Sequence, residues 1–414
     1  MKTTTSHAYG KILEIIESSE NRVETECSTY GQCGGCSLRH MNYEATLNLK
    51  REIVQNLVDK TLKNRLEVKP TIGMKEPYHY RNKAQYPIGY DKQGNIITGV
   101  FANRTHHIIP MQACQIQHPV SEYLAKLVVK FLKENKISAY QEENNKGVFR
   151  HVVIKIGKRT KEVMCIFVVN EKNIPKERDL VNYLLQNFEQ EYPEYALKTI
   201  VKNIKTKNTH VILGNQNVIL YGDGYIYDRL GDYTFKISPM SFYQVNPTQT
   251  ELLYDKAIAV ADIQKENIVL DLYCGIGTIG IYASKFAKQV YGIEIIEQAI
   301  VDAKENAKEN KIENIEFICG DVEQALSDLL DNKKVQPNVI LVDPPRRGLD
   351  NTTIQNIMKV QPQKIVYISC NPATMVRDLK QLEDKYEINE IQPVDMFPFT
   401  SHIETVTLLT LKNQ

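Results

Sequence analysis

The chain has 414 residues, 42% of them hydrophobic, with 51 Lys or Arg against 50 Asp or Glu and a formal net charge of +1. That length suits about two or three domains, each with its own core, and the balanced charge gives no whole-chain support to nucleic-acid binding. No apolar run approaches the roughly 20 residues that span a bilayer, the start MKTTTSHAYGK lacks a signal peptide's apolar segment, and eight unevenly spaced cysteines make no disulfide scaffold, so a cytoplasmic protein without a membrane partner is expected.

Residues 10–26, GKILEIIESSENRVETE, read as a short strand-like run ending at the first cysteine. The next stretch, CSTYGQCGGC, holds Cys27, Cys33 and Cys36, with Gly31, Gly34 and Gly35 permitting the turns between them. Cys114, in PMQACQIQHP, can close a set of four soft ligands whose spacing suits tetrahedral zinc or an iron–sulfur cluster. From Tyr43 to Leu62 the pattern predicts an amphipathic helix, with Leu47, Ile53, Val54, Leu57 and Val58 near one face. Residues 50–110 carry eleven Lys or Arg and five Asp or Glu, together with Tyr78, Tyr80, Tyr86, His79, His106 and His107. A phosphate-binding face with residues able to stack on bases has this composition, and so has an ordinary solvated surface.

Residues 71–235 contain β-branched or alternating runs, VVIKIG, VMCIFVVN and HVILG, with one helical interruption around SEYLAKLVVKFLKEN. After about residue 236, ENIVLDLYCG, KQVYGIEI, IEFICGD, PNVILVDPPR and KIVYISCN alternate with helical stretches such as EQAIVDAKENAKEN. The alternation predicts an α/β fold with a doubly wound, mainly parallel sheet whose ligands sit outside the carboxyl ends of the strands. Four segments follow: an N-terminal segment with the cysteine loop (1–36), a helical segment packing on the last domain (37–70), a β-rich α+β central domain that completes the cysteine set (71–235), and the doubly wound domain (236–414).

The strand IVLDLY runs into Cys274-Gly275-Ile276-Gly277-Thr278-Ile279-Gly280, a GxGxxG that allows a tight turn and close backbone approach to a ligand but is shared with dinucleotide enzymes. Glu294 ends the next strand, where a carboxylate can accept two ribose hydroxyls. Asp321 ends IEFICGD, in reach of an adenine, and Asp343 opens Asp343-Pro344-Pro345-Arg346, whose prolines fix a corner beside a planar substrate. The ordered set resembles class I S-adenosylmethionine-dependent methyltransferases.

Two further motifs narrow the resemblance. Cys370 directly follows the apolar strand KIVYIS, at the active rim, and Glu404 lies in PFTSHIETVTLL at the start of another apolar strand. A buried packing thiol and a surface carboxylate are the plain structural readings of these two, and His402 is a possible orienting group. Taken together, DLYCGIGTIG, DPPRRG, SCNPATMVRD, SHIETV and the preceding FYQVNP are similar to the RNA 5-methyluridine (uracil-C5) methyltransferase family, and among its members to iron–sulfur-containing bacterial 23S rRNA enzymes. The resemblance makes Cys370 the nucleophile that adds to uracil C6 and Glu404 the base that removes the C5 proton. It places Gln244, Tyr273, Gly275, Glu294, Asp321 and Asp343 around S-adenosylmethionine and the substrate, with Phe242 helping to shape the pocket.

It also favours a [4Fe-4S] cluster on Cys27, Cys33, Cys36 and Cys114, with zinc as the alternative, and leaves Cys165, Cys274 and Cys319 as packing or pocket-wall residues. Many relatives begin with a TRAM barrel; here the segment before Cys27 resembles only its closing portion, absent or shortened. The expected partner is 23S rRNA before complete subunit assembly, with no obligate protein partner. Transfer RNA is the alternative substrate. A catalytically inactive, metal-stabilised RNA-binding protein and an N-methyltransferase are the other classes, and neither needs the Cys370–Glu404 pair.

Overall fold

The computed structural model describes residues 2–3, 8–10, 12–63 and 66–412. Short strands β1 (Lys2–Thr3) and β2 (Ala8–Tyr9) pair antiparallel. The strand expected within residues 10–26 does not form among the described ones: Leu13 is 91% and Ile16 96% exposed, and only an isolated bridge links Arg22 to Met41. The run ILEII does not alternate, so neither face of a strand would be apolar.

Helix α1 (Tyr43–Thr61) starts where Asn42 accepts a hydrogen bond from the Ala45 N–H, and so satisfies one free helical donor. Its buried residues are Ala45, Thr46, Lys50, Val54 and Val58. Ile53, expected on that face, is exposed, and Lys50 takes a core position instead.

The central region holds β3 (Lys83–Tyr90), β4 (Ile96–Phe101), β5 (Ile108–Pro110), α2 (Pro119–Glu134), β6 (Phe149–Ile156), β7 (Glu162–Val169), α3 (Glu177–Glu191), β8 (Ala196–Ile204) and β9 (Gln216–Tyr221). Its seven strands lie in the order β5-β4-β3-β6-β7-β8-β9. β7 and β8 run parallel through the crossover helix α3, a second helix that the sequence reading missed, and the other pairs are antiparallel. HVILG is irregular rather than a strand: the Asn203 side chain clamps Gly214 through both its N–H (2.6 Å) and its C=O (2.9 Å), so pairing resumes only at Gln216.

A hairpin, β10 (Ile226–Leu230) and β11 (Tyr233–Ile237), leads to α4 (Pro247–Ala261), β12 (Ile268–Leu272), α5 (Thr278–Ser284), β13 (Gln289–Glu294), α6 (Glu297–Glu309), β14 (Ile315–Cys319), α7 (Val322–Asp331), β15 (Val339–Val342), α8 (Asn351–Val360), β16 (Lys364–Ser369), α9 (Pro372–Leu382), β17 (Tyr386–Val394) and β18 (Glu404–Leu411). The strand order is β14-β13-β12-β15-β16-β18-β17, parallel except that β18 runs against both neighbours. This is the class I methyltransferase arrangement expected from the sequence, and all five predicted strands are in place.

One face of this sheet buries Leu270, Ile340 and Tyr367 with Val54 and Val58 of α1. The other shares a continuous apolar core with the hairpin and the central sheet, in which Met164, Val201, Phe235, Leu253 and Val269 belong to one cluster. Among the described residues no helix is long and apolar enough to cross a membrane.

Candidate active site

The crevice beyond the carboxyl ends of β12, β13 and β15 is built from the glycine turn outward. Tyr273, Gly275 and Gly277 all have positive φ (66°, 55° and 82°), so the chain reverses sharply after β12. A side chain at Gly277 would strike Phe317, 2.7 Å from its Cβ position, whereas space in front of Gly275 is open. Glu294 takes the Gly275 N–H on one oxygen (3.2 Å) and the Ile296 N–H on the other (3.0 Å), so its carboxylate is fixed at the crevice wall. Asp321 is exposed and caps α7 through the Glu323 N–H (3.0 Å). Beneath the turn, the Asp271 carboxylate is fully buried against the Gly280 backbone, and burial, then Asp343, raises its pKa well above the carboxylate range.

Two expected pocket residues are positioned less directly. The Tyr273 ring packs into the α1-side core, and burial pushes its hydroxyl up to about 12. Gln244 is held by its backbone, its C=O accepting from the Asn82 side chain (3.0 Å), while the neighbouring Phe242 is 66% exposed.

The register pairs Ser369 with Thr405 and Val394 with Glu404. One further step along the antiparallel β16–β18 ladder sets Cys370 opposite Glu404. Asn371 and Thr374, at the start of α9, both donate to the Arg346 C=O (2.9 and 3.2 Å), so the DPPR corner is tied to the turn that carries Cys370. Asp343, Arg346, Cys370 and Glu404 therefore share one electrostatic site. Glu404 is buried; burial first, then Asp343, pushes its carboxyl well above the usual range, and Arg346 opposes them. Burial, then Glu404 and Asp343, push the Cys370 thiol up to about 11. Burial raises Asp343 to about 7.

The segment before Glu404 is clamped from four sides. Buried Lys50 donates to Asp395 (2.5 Å) and to the Phe397 C=O (3.1 Å), and Tyr43 donates to the second Asp395 oxygen (2.8 Å). Asn246 holds the Met396 C=O (3.1 Å), and Tyr80 the Pro398 C=O (3.2 Å). The Ser37 and Leu38 N–H groups both reach the Phe399 C=O (3.0 Å each). His402 packs edge-on against Phe397 at 5.7 Å and is not among these clamps. Sequence reasoning missed Lys50 and Asp395 as site-forming residues, and gave Asp271 and Arg346 only as members of motifs, without a role. The available signal was a lysine in an apolar helical stripe and an aspartate between Val394 and Met396.

Cys27, Cys33, Cys36 and Cys114 line one cavity with Tyr30, Arg39 and Met111. Glu122 fixes the fourth position by accepting the Ala113 and Cys114 N–H groups (3.0 and 3.1 Å). Burial raises Cys33, Cys36 (to about 12) and Cys114, and repulsion among the thiols adds to it. Among the described residues no three His, Cys, Asp or Glu side chains are gathered closely enough to hold a metal ion. Cys165 and Cys274 are buried as expected, while Cys319 is exposed at the end of β14.

Residues 42–412 match the tRNA (Uracil-5-)-methyltransferase family. An uncharacterised RNA methyltransferase from Halalkalibacterium halodurans is 43% identical over all of this chain and 89% of its own length. One from Staphylococcus aureus is 44% identical over all of this chain and 90% of its own. Among solved structures, the tRNA (uracil-54, C5)-methyltransferase of Pyrococcus abyssi, in complex with S-adenosyl-L-homocysteine, superposes with a TM-score of 0.75 at 29% identity, over 96% of this chain and 88% of that one.

Proposed function

Since the chain belongs to the tRNA (uracil-5-)-methyltransferase family, we propose that it methylates C5 of an RNA uridine from S-adenosylmethionine, with Cys370 as nucleophile and Glu404 as base. The observation that carries this reading is the ladder position of Cys370 opposite buried Glu404, at the carboxyl rim beside Asp343.

Gly275, Glu294 and Asp321 line the part of the crevice suited to the nucleoside of the donor. Asp343, desolvated and raised to about 7, suits a cationic ligand. The donor supplies an electrophilic methyl on a sulfonium. Cys370, its proton released to solvent, forms a C–S bond to C6, and the C5–C6 π pair moves through C4 onto O4 so that C5 becomes nucleophilic toward the methyl. Glu404 takes the C5 proton after the methyl is in place; the electron pair restores the C5–C6 double bond, and the thiolate leaves. Methyl transfer removes a positive charge from the site, which raises the proton affinity of nearby carboxylates when Glu404 must accept a proton. Cys370→Ala is expected to abolish both methylation and the covalent adduct with 5-fluorouracil RNA. Normal turnover by that variant would overturn the assignment.

The proposed target is a uridine of 23S rRNA before complete subunit assembly, where leaving the base stack costs least. Support comes from the Cys27, Cys33, Cys36 and Cys114 pattern, which resembles that of cluster-bearing bacterial ribosomal enzymes. The likeness to a tRNA enzyme favours transfer RNA as the second reading. Mapping labelled methyl groups in both RNAs from a deletion strain, after adding the protein back, separates the two.

We propose a [4Fe-4S] cluster on the four thiols on the strength of the sequence resemblance and their shared cavity; they are not gathered into a metal site in this arrangement and would have to close on the cluster, pinning the cysteine loop to Cys114. Iron and acid-labile sulfide in anaerobically purified protein test this, and stoichiometric zinc without iron would replace it.

A further inference from the structure

A cavity of about 720 Å³ lies at the end of the central sheet remote from Cys370, within the roughly 300–1,000 Å³ typical of ligand pockets. Strand β3 connects the two regions. At its start Asn82 is bonded to the Gln244 and Val245 carbonyls, and its last residues, Pro87 to Tyr90, line the cavity. At about 3.3 Å per residue, Tyr90 lies roughly 23 Å from Lys83. Nothing in the chemistry proposed for Cys370 uses this space.

Aromatic rings form part of its walls. The Arg150 guanidinium lies 3.8 Å from the centre of the Tyr140 ring and is locked there by the Asn170 side chain (3.3 Å) and the Lys205 C=O (3.2 Å). Phe101 stacks with His106 at 5.4 Å and meets His151 edge-on at 6.3 Å. The Nδ1 of His151 is buried without a hydrogen-bond partner, an unmet group of the kind a ligand satisfies.

The charge around the cavity selects among ligands. Burial, then Arg150, lowers the His151 pKa to about 4, so the ring is neutral at pH 7 and presents one directional donor or acceptor. Glu142, bonded to His106 (2.5 Å), and Glu143 also line the cavity, and Arg150 is already committed. Arg150 keeps its charge, since its partners are neutral, but Glu142 and Glu143 oppose it and the His151 imidazole adds none, so the cavity offers a phosphate no net attraction. Flat rings and one neutral polar atom favour a heteroaromatic base.

We propose that this cavity is a second nucleobase site, which takes one unpaired base of the RNA substrate several nucleotides from the methylated uridine, stacked on the aromatic walls with its edge toward His151 Nδ1. It rests on the reading of the chain as an RNA enzyme. The Cys33–Ala102 bridge and the Gly34 N–H to the Phe101 C=O (3.3 Å) tie the cysteine loop to the same wall, so that loop braces the cavity.

The test uses full-length wild type, Tyr140→Ala and His151→Phe with two RNAs: the whole substrate RNA and its isolated target stem-loop. With the whole RNA, loss of stacking is expected to raise KM roughly 5- to 100-fold with kcat unchanged, while both parameters stay at the wild-type level on the stem-loop. Photocrosslinking of 4-thiouridine-substituted RNA to wild type is expected to label the cavity wall. Equal losses on both RNAs, or unchanged KM on the whole RNA with no crosslink there, would overturn the site. Saturable binding of adenosine monophosphate that is lost in the variants, without an RNA crosslink, would assign the cavity to a free nucleotide and also overturn it. Absence of methylation by wild type on any RNA would instead remove the functional reading, and the crosslink still decides the site.

Discussion

A thiol raised to about 11 is almost wholly protonated at neutral pH, so Cys370 waits for its substrate in an unreactive form. Glu404→Gln keeps the shape but not the base; the expected result is normal adduct formation, accumulation of a methylated covalent intermediate on denaturing gels, and turnover reduced on the order of 10³-fold or more. Asp343 shares the pH response with Glu404 and Asp271, whose carboxyls burial also raises. The folded pKa of Asp343, about 7, is raised above the unfolded value, so its contribution to stability is full below about pH 4 and is lost as pH rises through about 7. The ligand-free protein should therefore lose melting temperature between pH 5 and pH 8, and Asp343→Asn should flatten that slope. The ionised carboxylate attracts a sulfonium but not a neutral thioether. Calorimetry should then show the preference for S-adenosylmethionine over S-adenosylhomocysteine growing as pH rises through 7, and a pH-independent ratio would remove Asp343 from this role. These residues can be read from sequence because each directly follows a strand or begins one, where the chain order alone places them on one rim. Lys50 and Asp395 cannot: they are 345 positions apart, and only folding shows that each neutralises the other.

The elements differ in how openly the sequence announces them. Strands covered on both sides are near-continuous apolar runs, so IVLDL, VILV and KIVYIS stand out without alternation even though IVLDL carries the buried Asp271. The Ile53 error on α1 has the opposite origin, because hydrophobicity ranks isoleucine above lysine and cannot foresee a buried ion pair. That pair makes a prediction for the segment that delivers Glu404. Lys50→Met leaves Asp395 buried and uncompensated and should cost about 3–5 kcal/mol in urea unfolding. Adding Asp395→Asn, which keeps an acceptor for Tyr43, should recover a large part of that loss. Equal stability of the single and double variants would mean that Lys50 acts only through its packing.

At the scale of the molecule, the composition break near residue 236 suggests separable halves, yet the core crosses it. Met164 and Val201 of the central sheet, Phe235 of the hairpin and Leu253 of α4 lie in one apolar cluster. The break marks a change of topology, from antiparallel strands to alternating strand and helix, and composition registers that change without registering which surfaces are later joined. A shared core couples the two sheets thermodynamically, since neither can expose its half without opening the other. Heating should then give one calorimetric transition for the whole chain. Leu253→Ala, fully buried on the catalytic side, should cost about 2–5 kcal/mol and lower that single transition, with hydrogen exchange rising in β7 and β8 as much as in β12 and β13. The chain contains no tryptophan, so a tryptophan at an exposed position in each half, such as Tyr221→Trp and Phe286→Trp, offers an independent check by fluorescence. Coincident melting of the two probes is expected. Separate midpoints would mean that the common cluster packs the sheets together without making them fold together, and would make the break near residue 236 an energetic boundary.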